Sequence, residues 1–169
     1  MTVMFPAVDE MPLALSDLYE QHHRMVFSTA YRITGNVADA EDVLHTVFLR
    51  ILRRNETGLI GNAEGYLRRS ASNAALDILR ARRETTVPDA DRLAALGADP
   101  ERGDLAEHLR RALAVLPERS AEMFTLRFFE GLSNPEIARQ MGLSQMVVAV
   151  TLHRTRKRLQ KELSAWRTV

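Results

Sequence analysis

The feature that most constrains the fold is a helical period that runs through almost the whole chain. Apolar residues recur every three or four positions between residues 13 and 34, which is the spacing of one face of an α-helix. Gly35-Asn36 then gives a stop signal, and similar breaks follow further along. No stretch of useful length alternates apolar and polar residues as a half-buried strand does. The sequence therefore predicts an all-α fold. The expected helices cover residues 13–34, 36–54, 63–83, 104–115, 117–130, 134–141 and 145–164.

The segment 84–103 divides the helices into two groups. It holds two Pro, two Gly and five acidic residues, and its formal charge is −3, whereas 13–83 and 104–169 carry +2 and +4. We interpret it as an acidic linker with one short helical turn at 93–96. It would join two small helical domains, 13–83 and 104–169, and residues 1–12 would form a disordered N-terminal tail. Each basic block could meet a partner that carries phosphates.

Composition excludes several classes of function. The chain has no cysteine, which excludes a disulfide framework, a cysteine nucleophile and a thiolate metal site. No apolar run approaches the roughly 18 residues that span a bilayer, and the acidic N-terminus does not resemble a secretory signal. The five His residues show no ligand spacing. We therefore expect a cytoplasmic protein with no metal and no cofactor, and the residues give little support for an enzyme.

Residues 132–159 carry a helix-turn-helix pattern. Ser133 and Glu136 form a capping box that starts a short helix. Gly142 supplies the turn, and Ser144 caps the longer helix that follows. This order of signals predicts the two-helix motif that places its second helix in the major groove of DNA.

The second helix of this motif is basic toward its end. Five of the eight residues 154–161 are Lys or Arg, which suits contacts to phosphates. A plain helical hairpin with a basic solvated face is the alternative. Because many regulators share the motif, it predicts DNA binding and not one particular function.

Three blocks of sequence occur in a fixed order along the chain. DAEDVLHTVFLRIL covers 39–52, GYLRRSASNAALDILRARR covers 65–83, and LPERSAEMFTLRFFEGLSNPEIARQMGLS covers 116–144. The first resembles the signature D-A-E-D-L-x-Q-x-V-F-L-R-x-W of bacterial sigma-70-type factors, in particular the extracytoplasmic-function (ECF) group. The other two look like the next block and the C-terminal domain of that family. Together they extend the resemblance over nearly the whole chain.

The resemblance implies a sigma factor, the promoter-specificity subunit of RNA polymerase. The first domain would bind core polymerase and melt and read the −10 element, and the second would read the −35 element. An anti-sigma factor or other regulatory protein is implied as a further partner. The residues that match the polymerase-binding surface are Asp39, Glu41, Asp42, His45, Phe48 and Leu49. Those implied to contact −10 DNA are Arg68, Arg69, Asn73, Arg80, Arg82 and Arg83. Those implied to contact −35 DNA are Ser144, Gln145, His153, Arg154, Arg156, Lys157 and Arg158.

Some of these assignments have a structural alternative. Phe48 shares its face with Val47 and Ile51, so it could belong to the core instead of a polymerase contact. For Asn73 and Asp77 we favour a structural role over base contacts. In the family, the loop 55–62 captures a flipped base. The polar candidates there are Asn55, Glu56 and Asn62.

The last helix departs from the family pattern S-x-G-T-V-K-S-R-L-x-R-A-R. This chain reads Ser144-Gln-Met-Val-Val-Ala-Val-Thr-Leu-His-Arg-Thr-Arg156. The long cationic side chains that read guanine edges are therefore missing. Two alternatives remain for this helix. It could bind a DNA element that is rich in A·T pairs or is recognised by its shape. It could instead bind a protein partner through an exposed patch of Met146, Val147 and Val150. We expect −35 readout to be altered, or replaced by recruitment through a partner.

Two other functions compete with the sigma-factor interpretation. A stand-alone helix-turn-helix regulator would need no surface like 39–52. A sigma-like decoy that sequesters an anti-sigma factor would lose its DNA-reading residues, as the last helix has. Such a decoy should also lose the basic pair Arg82 and Arg83, which this chain keeps.

Overall fold

Every regular element that the structure describes is an α-helix. The computed structural model describes residues 13–54, 61–85 and 100–167, and the all-α prediction is confirmed for them. The helices are α1 (Leu13–Thr34), α2 (Val37–Arg54), α3 (Ala63–Thr85), α4 (Pro100–Ala114), α5 (Glu118–Phe128), α6 (Asn134–Met141) and α7 (Gln145–Arg167). The expected tail 1–12, most of the loop 55–62 and the turn at 93–96 lie outside the described residues. The described residues form two compact units that divide between Ala75 and Leu76.

The first unit is built on the pairing of α1 with α2. Gly35, with φ at 66°, lets the chain reverse between them. The side chain of Asn36 then caps α2, because its Oδ1 accepts the backbone N–H of Asp39 at 3.0 Å. The fully buried apolar side chains of the two helices recur at helical spacing and form one continuous face. They include Leu15, Val26, Ile33, Val43, Phe48 and Ile51.

The start of α3 follows from local capping, but its end does not match the sequence-based boundary. Oδ1 of Asn62 accepts the backbone N–H of Gly65 at 3.0 Å, which confirms Asn62 as the cap. The helix continues to Thr85 and does not stop near residue 83, because no strong helix breaker occurs before Pro88. Likewise α4 begins at Pro100 and not near residue 104. Proline at the first helical position explains that earlier start.

In the second unit the helix-turn-helix has the predicted caps. The backbone N–H of Ser133 donates to Oε2 of Glu136 at 2.7 Å, and the backbone N–H of Glu136 donates to Oγ of Ser133 at 3.4 Å. Gly142 ends α6 in the left-handed conformation with φ at 65°. The backbone N–H of Leu143 then donates to the carbonyl of Ala138 at 2.9 Å. The predicted capping box and glycine turn are both confirmed.

One apolar cluster holds the helix-turn-helix together. It joins α5, α6 and α7, with Leu143 packed partly against it. Ala138 is 6% exposed and supplies the small side chain where α6 and α7 meet. The buried members of the cluster are Met123, Leu126, Leu132, Ile137, Ala138, Met141, Val148 and Leu152.

Both ends of α5 and the C-terminal end of α7 also differ from the predicted ones. Pro117 is the N-cap of α5 and not its first residue. The same helix ends at Phe128, where the backbone N–H of Glu130 donates to the carbonyl of Thr125, five residues back, and Gly131 follows in the left-handed conformation with φ at 72°. At the other end of the unit, α7 continues to Arg167.

Candidate functional site

The outer face of α2 presents a row of polar and apolar side chains. Glu41 and Asp42 are exposed, whereas His45 and Leu49 are half-buried. Residues spaced by three and four lie on one side of a helix, so these four residues form a continuous row. Asp39 lies half-buried in the first turn of α2. The row combines acidic groups with a partly exposed leucine, the composition that suits a protein contact with a basic partner.

Phe48 does not belong to this row. Its side chain is 0% exposed, and its ring packs edge-on against Tyr19 of α1 with the ring centroids 5.0 Å apart. The assignment of Phe48 to the polymerase-binding surface was therefore wrong. It fills the core because it follows Val43, Leu44 and Val47 on the inner side of α2, and Leu49 supplies the apolar group on the outer side.

A polar stripe with three basic residues runs along one face of α3. Arg69, Asn73 and Arg80 are separated by four and seven residues, so they share one face, and all three are half-buried. Asp77 lies between them and forms an ion pair with Arg80 at 3.0 Å. Arg83 is exposed one turn beyond Arg80.

The two remaining arginines of the −10 set are placed differently. Arg68 forms an ion pair with Glu64, one turn earlier on α3. Arg82 is half-buried and lies on a different face from Arg80, since residues two apart do not face the same side. The structure thus brings Arg69, Asn73, Arg80 and Arg83 to one side of the helix.

The N-terminal part of α7 exposes apolar side chains. Met146 is 76% exposed, Val147 46% and Val150 43%, and Gln145 is exposed beside them. Oγ of Ser144 accepts the backbone N–H of Val147 at 3.2 Å and caps the helix as predicted. The exposed apolar patch expected from the sequence is therefore confirmed.

The C-terminal part of α7 exposes cations. Its outward positions carry an exposed His153, Arg154 and Lys157, and Arg158 forms an ion pair with Glu162 at 3.2 Å. Arg156 is also exposed, on another side of the helix from Arg154. The seven residues assigned to the −35 element all lie on the surface of α7 or in its cap.

One cation beside this helix was not predicted from the sequence. Arg139 is exposed on α6 and lines an open cleft together with Pro135 and Gln145. In a helix-turn-helix the first helix crosses the DNA backbone, so a cation there can reach a phosphate. The available signal was an arginine three residues before the turn glycine, Gly142.

The described residues contain neither a candidate metal site nor a helix that could span a membrane. No three His, Asp or Glu side chains within 13–54, 61–85 and 100–167 converge as metal ligands would. None of the helices in those ranges combines the length and apolar character that crossing a bilayer demands.

Two family models match this chain. Residues 18–85 match the family model for sigma-70 region 2, and residues 106–159 match sigma-70 region 4. The match to region 2 covers most of α1 and all of α2 and α3, and the match to region 4 covers α5, α6 and parts of α4 and α7. The fold and the paired matches therefore define a two-domain transcription factor of the sigma type.

Individual relatives make the assignment more specific. The ECF RNA polymerase sigma factor SigE of Mycolicibacterium smegmatis is 33% identical over an alignment of 173 positions, and the alignment covers 96% of this chain and 67% of that protein. The RNA polymerase sigma-E factor of Streptomyces coelicolor is 34% identical over 143 residues, covering 81% of this chain and 78% of that protein. The chain belongs to the sigma-70 family of RNA polymerase sigma factors, in its ECF group, and directs promoter-specific transcription.

A solved structure supports the fold. The sigma factor RpoE of Bartonella quintana, crystallised with the anti-sigma factor NepR, matches with a TM-score of 0.54 at 18% identity. The match covers 88% of this chain and 95% of that chain. At this level of identity the likeness shows a shared architecture only.

Proposed function

We propose that the outer row of α2 is the surface by which this sigma factor binds core RNA polymerase. The observation that carries the proposal is the division of α2 into two faces. Val43, Val47 and Phe48 are buried on the inner face, so Asp42 and Leu49 on the outer side are available to a partner. The acidic side chains would pair with cations of the polymerase, and Leu49 would supply the buried apolar contact that a hot spot needs.

The polar stripe of α3 would contact the −10 element. Arg69, Arg80 and Arg83 are spaced to follow the phosphates of one opened strand, and Asn73 lies between them on the same face. The ion pair of Asp77 with Arg80 supports a structural role for Asp77, which would hold that guanidinium in place. The stripe lies within the match to region 2.

The second unit would dock at the −35 position through its helix-turn-helix. The cations of α7 and Arg139 of α6 would contact phosphates on both sides of the groove. We assign the first domain to residues 13–83, the segment 84–103 to a linker, and the second domain to 104–169, in keeping with the matches at 18–85 and 106–159. The polymerase would perform the chemistry, in the cytoplasm, and this chain would supply only promoter specificity.

Charge reversal on α2 tests the polymerase contact. We expect Asp42→Lys and Leu49→Ala to weaken binding to core polymerase about thirtyfold or more, the factor that corresponds to the ~2 kcal/mol loss of a hot-spot residue. Glu20→Lys is the matched control, since Glu20 is an exposed acid on α1, and it should bind normally. Affinity is measured by titrating core polymerase with labelled full-length chain. Equal effects of Asp42→Lys and Glu20→Lys would refute a specific surface on α2.

Open-complex formation tests the α3 stripe separately. We expect Arg80→Ala and Arg83→Ala to bind core polymerase normally yet to reduce the permanganate reactivity of unpaired thymines at −10. Arg53→Ala is the control, because Arg53 is an exposed arginine near the end of α2. Normal melting by the Arg80 and Arg83 variants would contradict the assignment of the stripe to −10 DNA.

We also propose that an anti-sigma protein regulates this factor. The Bartonella sigma factor of similar fold was crystallised with such a protein, and the ECF relatives share sequence along most of this chain. A regulator of this kind should compete with core polymerase for the full chain. A binding partner that leaves the polymerase affinity unchanged would not be such a regulator.

A further inference from the structure

The outward face of α7 changes its chemistry along the helix. From Gln145 to His153 there is no Asp, Glu, Lys or Arg, and the exposed side chains there include Met146, Val147 and Val150, which we call the apolar tip. The opposite row of α7 is fixed, because Val148 and Leu152 are buried in the core of the unit. The apolar tip therefore stays on the surface whenever the unit is folded.

The surroundings of the apolar tip are positively charged. Arg139, Arg154 and Lys157 are exposed around it. The nearest acids in the sequence are engaged locally, Glu136 in the capping box and Glu162 with Arg158. An apolar patch with a cationic border complements a polyanion that carries apolar groups between its charges. Duplex DNA has this arrangement, since thymine methyl groups line the major groove between two rows of phosphates.

We propose that the apolar tip reads the C5-methyl groups of thymines in the −35 element. The proposal rests on the proposed function, because it assumes that the second unit lies on promoter DNA. Apolar side chains contact thymine methyls, and a glutamine such as Gln145 can bond the N6 and N7 edge of adenine. The bidentate contact to guanine is made by Arg or Lys, and neither occurs from Ser144 to His153. Both available chemistries select A·T pairs.

The first experiment finds the element and then removes its methyl groups. Holoenzyme made from core polymerase and the full-length chain selects from a duplex library randomised at the −35 and −10 positions. We expect thymine to be enriched at two or more −35 positions. Replacing each of these thymines by deoxyuridine keeps the base pair but removes the methyl group. The affinity should fall about fourfold per methyl, the factor that corresponds to ~0.8 kcal/mol for one buried CH₂.

The second experiment assigns the methyl contacts to the helix. In Met146→Ala and Val150→Ala, the ratio of affinities for the thymine and deoxyuridine probes should fall toward one, while binding to the deoxyuridine probe stays near that of the wild type. Val37→Ala is the matched control, since Val37 is an exposed valine on α2, and it should keep the full ratio. A T·A pair replaced by 5-methylcytosine·guanine should retain part of the affinity, because it keeps a methyl group.

Specific outcomes would overturn the proposal. Guanine enrichment at −35, equal affinity for thymine and deoxyuridine probes, or an unchanged ratio in Met146→Ala and Val150→Ala would each refute methyl readout. Transcription could instead show no sequence preference at −35 and occur only when a second protein binds the apolar tip. That result would refute methyl readout and show that the patch binds a protein partner. If the holoenzyme binds and melts no promoter at all, the proposed function itself fails. That result is distinct from the loss of methyl readout on an active promoter.

Discussion

Replacing Phe48 by alanine separates a core role from a polymerase contact. Its side chain is 0% exposed and packs edge-on against Tyr19, so truncation leaves a cavity between α1 and α2. Phe→Ala changes at buried sites typically cost about 3–5 kcal/mol in the free energy of unfolding. For a domain of 60–100 residues, 1 kcal/mol corresponds to roughly 4–8 °C in Tm. We therefore expect the first unit of Phe48→Ala to melt at least about 12 °C lower.

The neighbouring residue provides the comparison. Leu49 is half-buried on the outer side of α2. Leu49→Ala should therefore lower the free energy of unfolding by a smaller amount, about 1 kcal/mol, which is the central value for point substitutions. It should also reduce polymerase affinity, because the side chain would contact the polymerase directly. Both variants are compared by urea denaturation followed by circular dichroism and by titration with core polymerase at a temperature where each is folded. Under those conditions Phe48→Ala should retain most of its polymerase affinity.

One pattern of results would contradict a core role for Phe48. If Phe48→Ala unfolded at nearly the wild-type urea concentration but lost its polymerase affinity, the ring would have to act at the surface in the bound state. The packing against Tyr19 would then not describe the state that binds polymerase.

Three further predictions concern the second unit. Ser133→Ala should lower the free energy of unfolding by ~1 kcal/mol, because it removes the acceptor of the capping box, and Ser133→Thr should restore most of the loss in urea denaturation. Gly142→Ala should lower the free energy of unfolding by about 1–2 kcal/mol from left-handed backbone strain alone, since no atom lies within 4 Å of the added Cβ. Gly61→Ala is the control, because Gly61 is equally open and has no positive φ, and it should leave stability unchanged. Equal losses of stability in the two variants would exclude strain as the cause. Lys157→Ala should weaken DNA binding equally on all sequences and reduce the salt slope by about one, and a sequence-dependent loss would contradict a phosphate contact.

Local chemistry explains what could be predicted from the sequence. The caps at Asn62 and Ser133 and the turn at Gly142 depend on interactions within a few residues, so short motifs are sufficient to find them. The exposure of Met146 and Val150 also followed from the helical period, because Val148 and Leu152 occupy the buried side.

Packing between helices explains what the sequence could not decide. Phe48 and Leu49 are adjacent apolar residues, and either could have been the buried one. The contact of Phe48 with Tyr19, on another helix, decides between them. The ends of α3 and α4 were misplaced for a related reason, because no strong local signal stops a helix at residue 83 or starts one at 104. Arg139 was missed because its exposure depends on how α6 packs against α7.

Different residues of the helix-turn-helix determine its folding and form its outward surface, and this separation has an evolutionary consequence. Ser133, Glu136 and Gly142 set its geometry, and Val148 and Leu152 anchor it, whereas Met146 and Val150 face outward and contribute little to folding. Substitutions at the outward positions can therefore accumulate in a duplicated gene without loss of the folded domain. Where the apolar tip reads promoter DNA as proposed, two such copies would come to serve different sets of promoters while they share one polymerase.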